Sequence, residues 1–359
     1  MKTLSSLNLY KQNDKQLHGV FAMTAKELAK ILNLSEAAVS FALNGKPGVS
    51  TQTRNRVREA AEKYGLDTSR FDNGENGNGQ NGMQTLCLIY FRRHGAVLTD
   101  SSFFNDLTEG IENGCAKAGC QLNILNIYSR EELQRQIEEL PHLGVSGILL
   151  LGTEMQQEDF NALAFAQVPV LLLDNHFISS KIDSVQINNA DGAYTAANYM
   201  INRLKQRPGY LRSSYRIMNF DQRKEGFDKA LRYNGLSAAS TIIHELTPSI
   251  DGAYSDMKAI IDRGEMLARC YFADNDQIAI GAMRAFKEHG LKIPQDIAII
   301  GFDDIAMCSY TEPPLSSVHV PKRHMGLIAV ERLLSVISHS DYYPVNVQIS
   351  TNLVLRGTI

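Results

Sequence analysis

Apolar residues between Ala22 and Leu66 recur at helical spacing in three short stretches: Leu28, Ile31 and Leu32, then Val39, Ala42 and Leu43, then Val57, Ala60, Ala61 and Tyr64. Spacings of three and four place each set on one face of a helix. Thr24, Ser35 and Ser50 stand where a side-chain oxygen caps a helix start, and Asn33 offers a turn between the first two. The reading is helix, tight turn, helix, followed by a third helix. From Thr85 onward the pattern changes. Compact apolar runs without strict alternation (Leu86–Phe91, Gln121–Ile127, Gly147–Leu151, Val168–Leu173, Gly209–Arg212, Arg269–Ala273, Ile297–Gly301) are separated by amphipathic stretches (Asp106–Ala118, Glu131–Leu140, Ala190–Arg203, Lys224–Tyr233, Gln277–His289, His324–Ser338). Such strands belong to parallel sheets covered on both faces by helices. The 275 residues from 85 to 359 are long for one such sheet and predict two doubly wound lobes. Between the two patterns, Asp72–Gly82 holds four glycines and no apolar residue, the composition of a flexible linker. The expected organisation is a leader over 1–20, a helical domain over 21–67, a linker over 68–84 and a two-lobed α/β domain over 85–359.

Charge sharpens this division. The net charge of −3 is unevenly spread: residues 1–67 carry 10 Lys/Arg against 6 Asp/Glu, leaving 26 against 33 for the rest. A basic N-terminal module on an acidic body is the sign expected of a DNA-contacting domain. The five cysteines are odd in number and show no CxxC spacing, which points to buried free thiols in a reducing compartment. Met1–Val20 lacks the apolar run of a signal peptide, and no stretch approaches the roughly 20 apolar residues of a membrane span. A cytoplasmic protein without a membrane segment is the expectation.

In the second helix Val39 and Leu43 face inward, leaving Glu36, Ala37, Ser40 and Phe41 outward. A short helix presented this way fits the DNA major groove. Periodicity alone equally allows a three-helix cap or a dimerisation piece. The string Met23-Thr-Ala-Lys-Glu-Leu-Ala-Lys-Ile-Leu-Asn-Leu-Ser-Glu-Ala-Ala-Val-Ser-Phe-Ala-Leu-Asn-Gly45, with Val49-Ser-Thr-Gln-Thr-Arg54 and Val57-Arg-Glu-Ala-Ala61 after it, resembles the headpiece of the LacI/GalR family of bacterial regulators. The resemblance implies that Ser35–Leu43 is the recognition helix, that Glu36, Ala37 and Phe41 read bases, and that Thr24, Ser40, Asn44, Ser50, Thr53 and Arg54 lie near phosphates of a double-stranded operator. It also implies a homodimer, because a two-fold protein reads two half-sites. Phe41 stands where the family often has a polar or basic residue. It offers a thymine methyl an apolar contact, and Glu36 can accept from a cytosine amino group, but neither makes the bidentate guanine contact of arginine. The family's short hinge helix, Asn-x-x-Ala-Arg-x-Leu, has no counterpart in Leu66-Asp-Thr-Ser-Arg-Phe71 and the Asn/Gly tract. A tether of that composition spans about 20 Å as a coil.

The resemblance continues over residues 84–358 through Pro169-Val-Leu-Leu-Leu-Asp174, Asn188-Asn-Ala-Asp-Gly192, Arg223-Lys-Glu-Gly-Phe227, Ala273-Asp-Asn-Asp276, Gly301-Phe-Asp-Asp304, Pro313-Pro-Leu-Ser-Ser-Val318 and Leu353-Val-Leu-Arg-Gly357. These are similar to the family's effector domain, of the type I periplasmic-binding-protein-like fold. Independently, Asp174, Asn275 and Asp303 each fall at or just past the carboxyl end of a predicted strand, where open α/β sheets bind ligands. Carboxylates, an amide and the guanidinium of Arg223 supply the paired acceptors and donors that a polyhydroxylated molecule such as a sugar needs. Blander roles are a helix cap or turn for Asp174 and Asp303, a cap for Asn275 and a surface charge for Arg223. Phe103 is by default a core residue in the loop before the first body helix; the family's aromatic there can flank the ligand. The reading is therefore a transcription repressor controlled by a small effector. Two other classes compete, a sugar-binding transport receptor and an α/β enzyme fused to a DNA-binding domain. No His pair has metal-ligand spacing, and no Walker, G-x-S-x-G or dinucleotide fingerprint occurs, so neither catalysis, a metal nor a cofactor is expected.

Overall fold

A computed structural model of the chain describes residues 24–43, 49, 51–64, 66, 84–98, 102–177, 180–339 and 343–359. The expected leader, nearly all of the linker, Asn44 and Ser50 lie outside the described residues. The chain divides into two compact units, Met1–Gly82 and Met83–Ile359.

In the first unit, α1 (Ala25–Leu32), α2 (Glu36–Leu43) and α3 (Thr51–Lys63) are the three helices read from the apolar stripes. Thr24 and Glu27 form a reciprocal capping box, the Thr24 hydroxyl accepting from the Glu27 amide at 3.3 Å and the Glu27 carboxylate accepting from the Thr24 amide at 2.9 Å. Asn33 closes α1 in the left-handed region, and the Ser35 hydroxyl accepts from the Ala38 amide at 3.1 Å to start α2. Leu28, Ala29, Val39, Ala42, Val57 and Ala61 meet in a small core.

The second unit holds two six-stranded sheets. The strands are β1 (Thr85–Phe91), β2 (Gln121–Ile127), β3 (Val145–Leu151), β4 (Val170–Leu173), β5 (Asp183–Ile187), β6 (Gly209–Ser213), β7 (Ile243–Leu246), β8 (Cys270–Ala273), β9 (Ala298–Asp303), β10 (Ser316–His319), β11 (Asn346–Ile349) and β12 (Asn352–Val354). The helices are α4 (Ser102–Ala118), α5 (Arg130–Glu139), α6 (Asn189–Leu204), α7 (Met218–Tyr233), α8 (Ile250–Asp262), α9 (Asp276–Glu288) and α10 (Lys322–Ser338). The N-lobe sheet runs β11-β5-β4-β3-β1-β2, all parallel. In the C-lobe sheet, β12-β10-β9-β8-β6-β7, the edge strand β12 runs antiparallel to β10, a departure from the all-parallel expectation. Both faces of β1 are covered: Leu86 and Leu88 join the cluster holding Leu107 and Ile111 of α4, and Cys87 and Ile89 join the one holding Leu133 and Ile137 of α5. That double burial explains the unbroken apolar run.

Three segments pass between the lobes: β5 into α6, β10 into α10 and β11 into β12. The second sends α10 and β11 back to the N-lobe, where α10 packs against α4, and the third returns the chain to the C-lobe as β12. Helix contact there is close, because a Cβ on Gly110 would lie 2.2 Å from the Arg323 carbonyl oxygen. Sequence periodicity missed β5, β7, α8, β10, β11 and β12. Strand β5, Asp-Ser-Val-Gln-Ile, is fully buried yet half polar, and its Ser184 and Gln186 side chains are answered by Asn346 of β11. Two helices also begin earlier than expected, α4 at Ser102 and α7 at Met218.

Candidate functional site

A small cavity lies between the lobes, lined from the N-lobe by Val97, Phe103, Phe104, Thr153 and Asp174 and from the C-lobe chiefly by Asn219, Phe220, Arg223, Asn275 and Asp303. All five residues expected to face an effector, Phe103, Asp174, Arg223, Asn275 and Asp303, are brought to it.

Arg223 is not a surface charge. It sits inside α7 rather than before it, with 3% exposure, and each edge of its guanidinium is used. Nε donates to Asn189 Oδ1 at 2.9 Å, Nη1 to the Asp274 carbonyl at 2.5 Å and Nη2 to Asp303 Oδ1 at 3.1 Å. The plane lies 3.7 Å from the Phe302 ring centre. Asp274, one layer below, accepts from the Tyr210 hydroxyl at 2.5 Å and the Ser213 amide at 2.7 Å. The fork is thus rigid before any ligand arrives, and its charge is answered by a carboxylate.

Asp174 differs. Thr153 donates to its Oδ2 at 2.7 Å, while its buried Oδ1 has no hydrogen-bond partner among the described residues. An unanswered buried acceptor costs about 1–3 kcal/mol. Burial pushes the Asp174 carboxyl up to about 6, against the hydrogen bond from Thr153 and the pull of Arg223 and Asn219. Burial likewise raises Asp303, with Arg223 and then Lys322 drawing it back.

The backbone at the carboxyl ends of the strands is strained to make these presentations. Asp174, Asp303 and Asp304 adopt φ of 60°, 106° and 50°. Left-handed conformations of non-glycine residues cost about 1–3 kcal/mol each and gather at binding sites. Neither Asp174 nor Asp303 caps a helix; both end strands in sharp turns. Asn275 does cap α9, accepting from the Ile278 amide at 2.9 Å, and lines the cavity as well. Phe103 lies in the first turn of α4, not in a loop, with its ring 5.0 Å from Phe104 and set edge-on.

Sequence reasoning missed Thr153, Asn219, Phe220 and Asp276. Thr153 follows β3 as Asp174 follows β4, so the same strand-end rule would have found it. Asp276 accepts from Ser317 Oγ at 2.6 Å and the Ile305 amide at 2.9 Å, and burial pushes it up to about 7. A Cβ on Gly301 would fall 2.1 Å from its Oδ1, which is why β9 carries a glycine there. Asn219 and Phe220 had no signal, because Ile217 starts α7 without a side-chain cap.

On the first unit, Glu36 and Ala37 are exposed, Phe41 is 39% exposed despite its size, and Ser40, Thr53 and Arg54 are half-buried. Lys26 Nζ approaches Glu36 at 3.6 Å. Thr24 and Ser35 are exposed at the helix starts that they cap.

Residues 197–359 match the family of periplasmic binding protein-like domains. The HTH-type transcriptional repressor PurR of Vibrio atlanticus (strain LGP32) is 28% identical over 340 residues, covering 94% of this chain and 98% of that protein. The ribose operon repressor of Escherichia coli (strain K12) is 26% identical over 341 residues, covering 93% and 99%. Among solved structures, a LacI family transcriptional regulator from Enterococcus faecium with bound ribose is similar at a TM-score of 0.66 and 25% identity, covering 77% of this chain and 98% of that one. Over most of its length, then, the chain is similar to named transcriptional repressors and to a LacI family regulator, and its C-terminal part matches the periplasmic binding protein-like domain family.

Proposed function

We propose that this protein is a sequence-specific DNA-binding repressor whose operator affinity is set by a neutral, polyhydroxylated effector, a sugar or sugar derivative, held between its lobes. One observation carries the effector class. Arg223 is already paired with Asp303, so the cavity offers no free guanidinium to an anion, while the buried acceptor Asp174 Oδ1 and the side-chain amides of Asn219, Asn275 and Gln277 line it. A hydroxyl-bearing ligand both donates and accepts, and the faces of Phe103 and Phe220 accommodate its C–H surface. Relatives named as repressors, one of them of a ribose operon, support the regulatory role.

Glu36, Ala37 and Phe41 are the base-reading residues in this proposal, Thr24, Ser40, Asn44, Ser50, Thr53 and Arg54 form the phosphate-facing set, and Ser35 is the DNA-facing start of the recognition helix. The chain acts as a homodimer on a near-palindromic operator in the cytoplasm; none of the described helices is long and apolar enough to cross a membrane. Without the hinge pattern, half-site spacing is tolerated more loosely than a rigid hinge allows, and inserting or deleting central base pairs tests that directly. A thermal-shift panel of neutral pentoses, hexoses and disaccharides against sugar phosphates tests the effector class. A ligand that binds only the folded state raises its stability by about 2.7 kcal/mol at a hundredfold excess over Kd. Stabilisation by phosphosugars alone overturns the proposal.

A further inference from the structure

Lys322 occupies a place where a cation is doubly disfavoured. It is 5% exposed, and it is the first residue of the 17-residue α10, whose N-terminus carries partial positive charge. Its Nζ donates to the main-chain carbonyls of Asp303 at 2.6 Å and Asp304 at 3.2 Å, two consecutive residues in the left-handed region. The same Nζ lies 5.7 Å from the Phe103 ring centre, across in the N-lobe. Lys322 therefore touches both halves of the cavity from beneath without being part of its lining.

The charges around Asp303 explain why a cation is kept there. Asp174 faces it from the end of β4, Asp276 from α9 and Asp304 from its own turn; the cations are Arg223 from α7 and Lys322 from α10. Asp304 is answered separately, by Arg356 at 2.7 Å and His319 at 2.9 Å. Arg223 divides its donors among Asn189, Asp274 and Asp303. One guanidinium fork thus serves both Asp174 and Asp303 while Asp276 adds like charge beside them, and without Lys322 the turn would carry an excess of buried negative charge.

We propose that Lys322 is a positioning residue of the effector site, its ammonium fixing the Asp303–Asp304 turn and holding Asp303 ionised toward Arg223 without touching the effector. The inference rests on the effector site proposed above, but its test needs no effector. In full-length protein labelled with ¹³C at aspartate carboxyls, the Asp303 resonance, assigned by its loss in Asp303→Asn, is titrated against pH. Lys322→Met raises its midpoint by about one pH unit or more, a tenfold change in the ionisation constant. Lys322→Arg, which keeps charge and donors, titrates like the parent, and Lys322→Gln, which keeps a donor without charge, follows Met. A Met variant that titrates like the parent, or Gln restoring the midpoint as fully as Arg, overturns the proposal. Should the Met variant fail to fold, the contrast between Arg and Gln carries the same decision. Failure of every sugar to bind would instead overturn the effector reading and leave this titration contrast intact.

Discussion

The two lobes face each other across the cavity with opposite characters. The C-lobe wall is charged and already satisfied: Arg223 has four partners, counting the Phe302 ring, and Asn275 is committed to α9. The N-lobe wall is mostly apolar, Val97, Phe103 and Phe104, with one carboxylate that is only half satisfied. A pre-bonded wall reorganises little on binding and so fixes the orientation of a ligand at low entropic cost. The opposite wall presents an acceptor that still lacks a donor. On the proposed effector site, the C-lobe orients the ligand and the N-lobe responds to it, and the substitutions below separate those roles.

The largest effect belongs to Arg223. Arg223→Ala strands Asp303 and Asn189 in a buried setting and is expected to destabilise the body by about 3–5 kcal/mol, measured by urea unfolding. A loss below 1 kcal/mol would mean that the C-lobe wall is not pre-bonded.

Asp174→Asn is expected to do the reverse to stability. The folded carboxyl titrates at about 6, above its ordinary range near 4, so the folded state binds this proton more tightly than the unfolded chain. Its stabilising contribution is complete below pH about 4 and is lost as pH rises through about 6. Replacing it with the neutral amide removes that loss, raising stability at pH 7.5 by on the order of 2 kcal/mol and flattening the profile of Tm against pH between 4 and 7. Sugar affinity falls in the same variant. Unchanged affinity would show that Asp174 is not the responsive group of the N-lobe.

Thr153→Val deprives Asp174 of its one hydroxyl donor at nearly constant shape, with an expected cost of about 1–2 kcal/mol. The cost should shrink below pH 5, where Asp174 is protonated, and calorimetry across pH follows it. The smallest effect is expected from Phe103→Leu, about 1 kcal/mol in stability and a few-fold in sugar affinity. A larger loss for a glycosidically extended ligand than for a monosaccharide would place Phe103 against the ligand face rather than in packing alone.

Local chemistry made the three-helix unit almost fully legible. Thr24, Asn33 and Ser35 act within three or four residues of themselves, and the stripes Leu28, Val39 and Val57 need only each other. The α/β alternation and the strand-end positions of Asp174, Asn275 and Asp303 were legible for the same reason, since covered parallel strands leave an unbroken apolar run that stops where the site begins. Short or polar strands were not. Strand β5 is held by Asn346, 160 residues ahead of Gln186 in the chain, and no window of sequence contains that partner.

What the sequence determined by itself was therefore the kind of protein and the identity of most charged groups at the cavity. What only the tertiary structure decided was their state. Arg223 is satisfied because Asn189, Asp274 and Asp303, between 34 and 80 residues away, converge on it. Asp174 is left one hydrogen bond short, although in sequence it looked like Asp303, another carboxylate at a strand end, whose Oδ1 is answered by Arg223. Lys322 gave no sign of its role, because a lysine at a helix start reads as an exposed charge until the fold buries it against two carbonyls from a turn in the other lobe. Burial and long-range partners set the energy of a charge, and neither is a property of its neighbours in the chain.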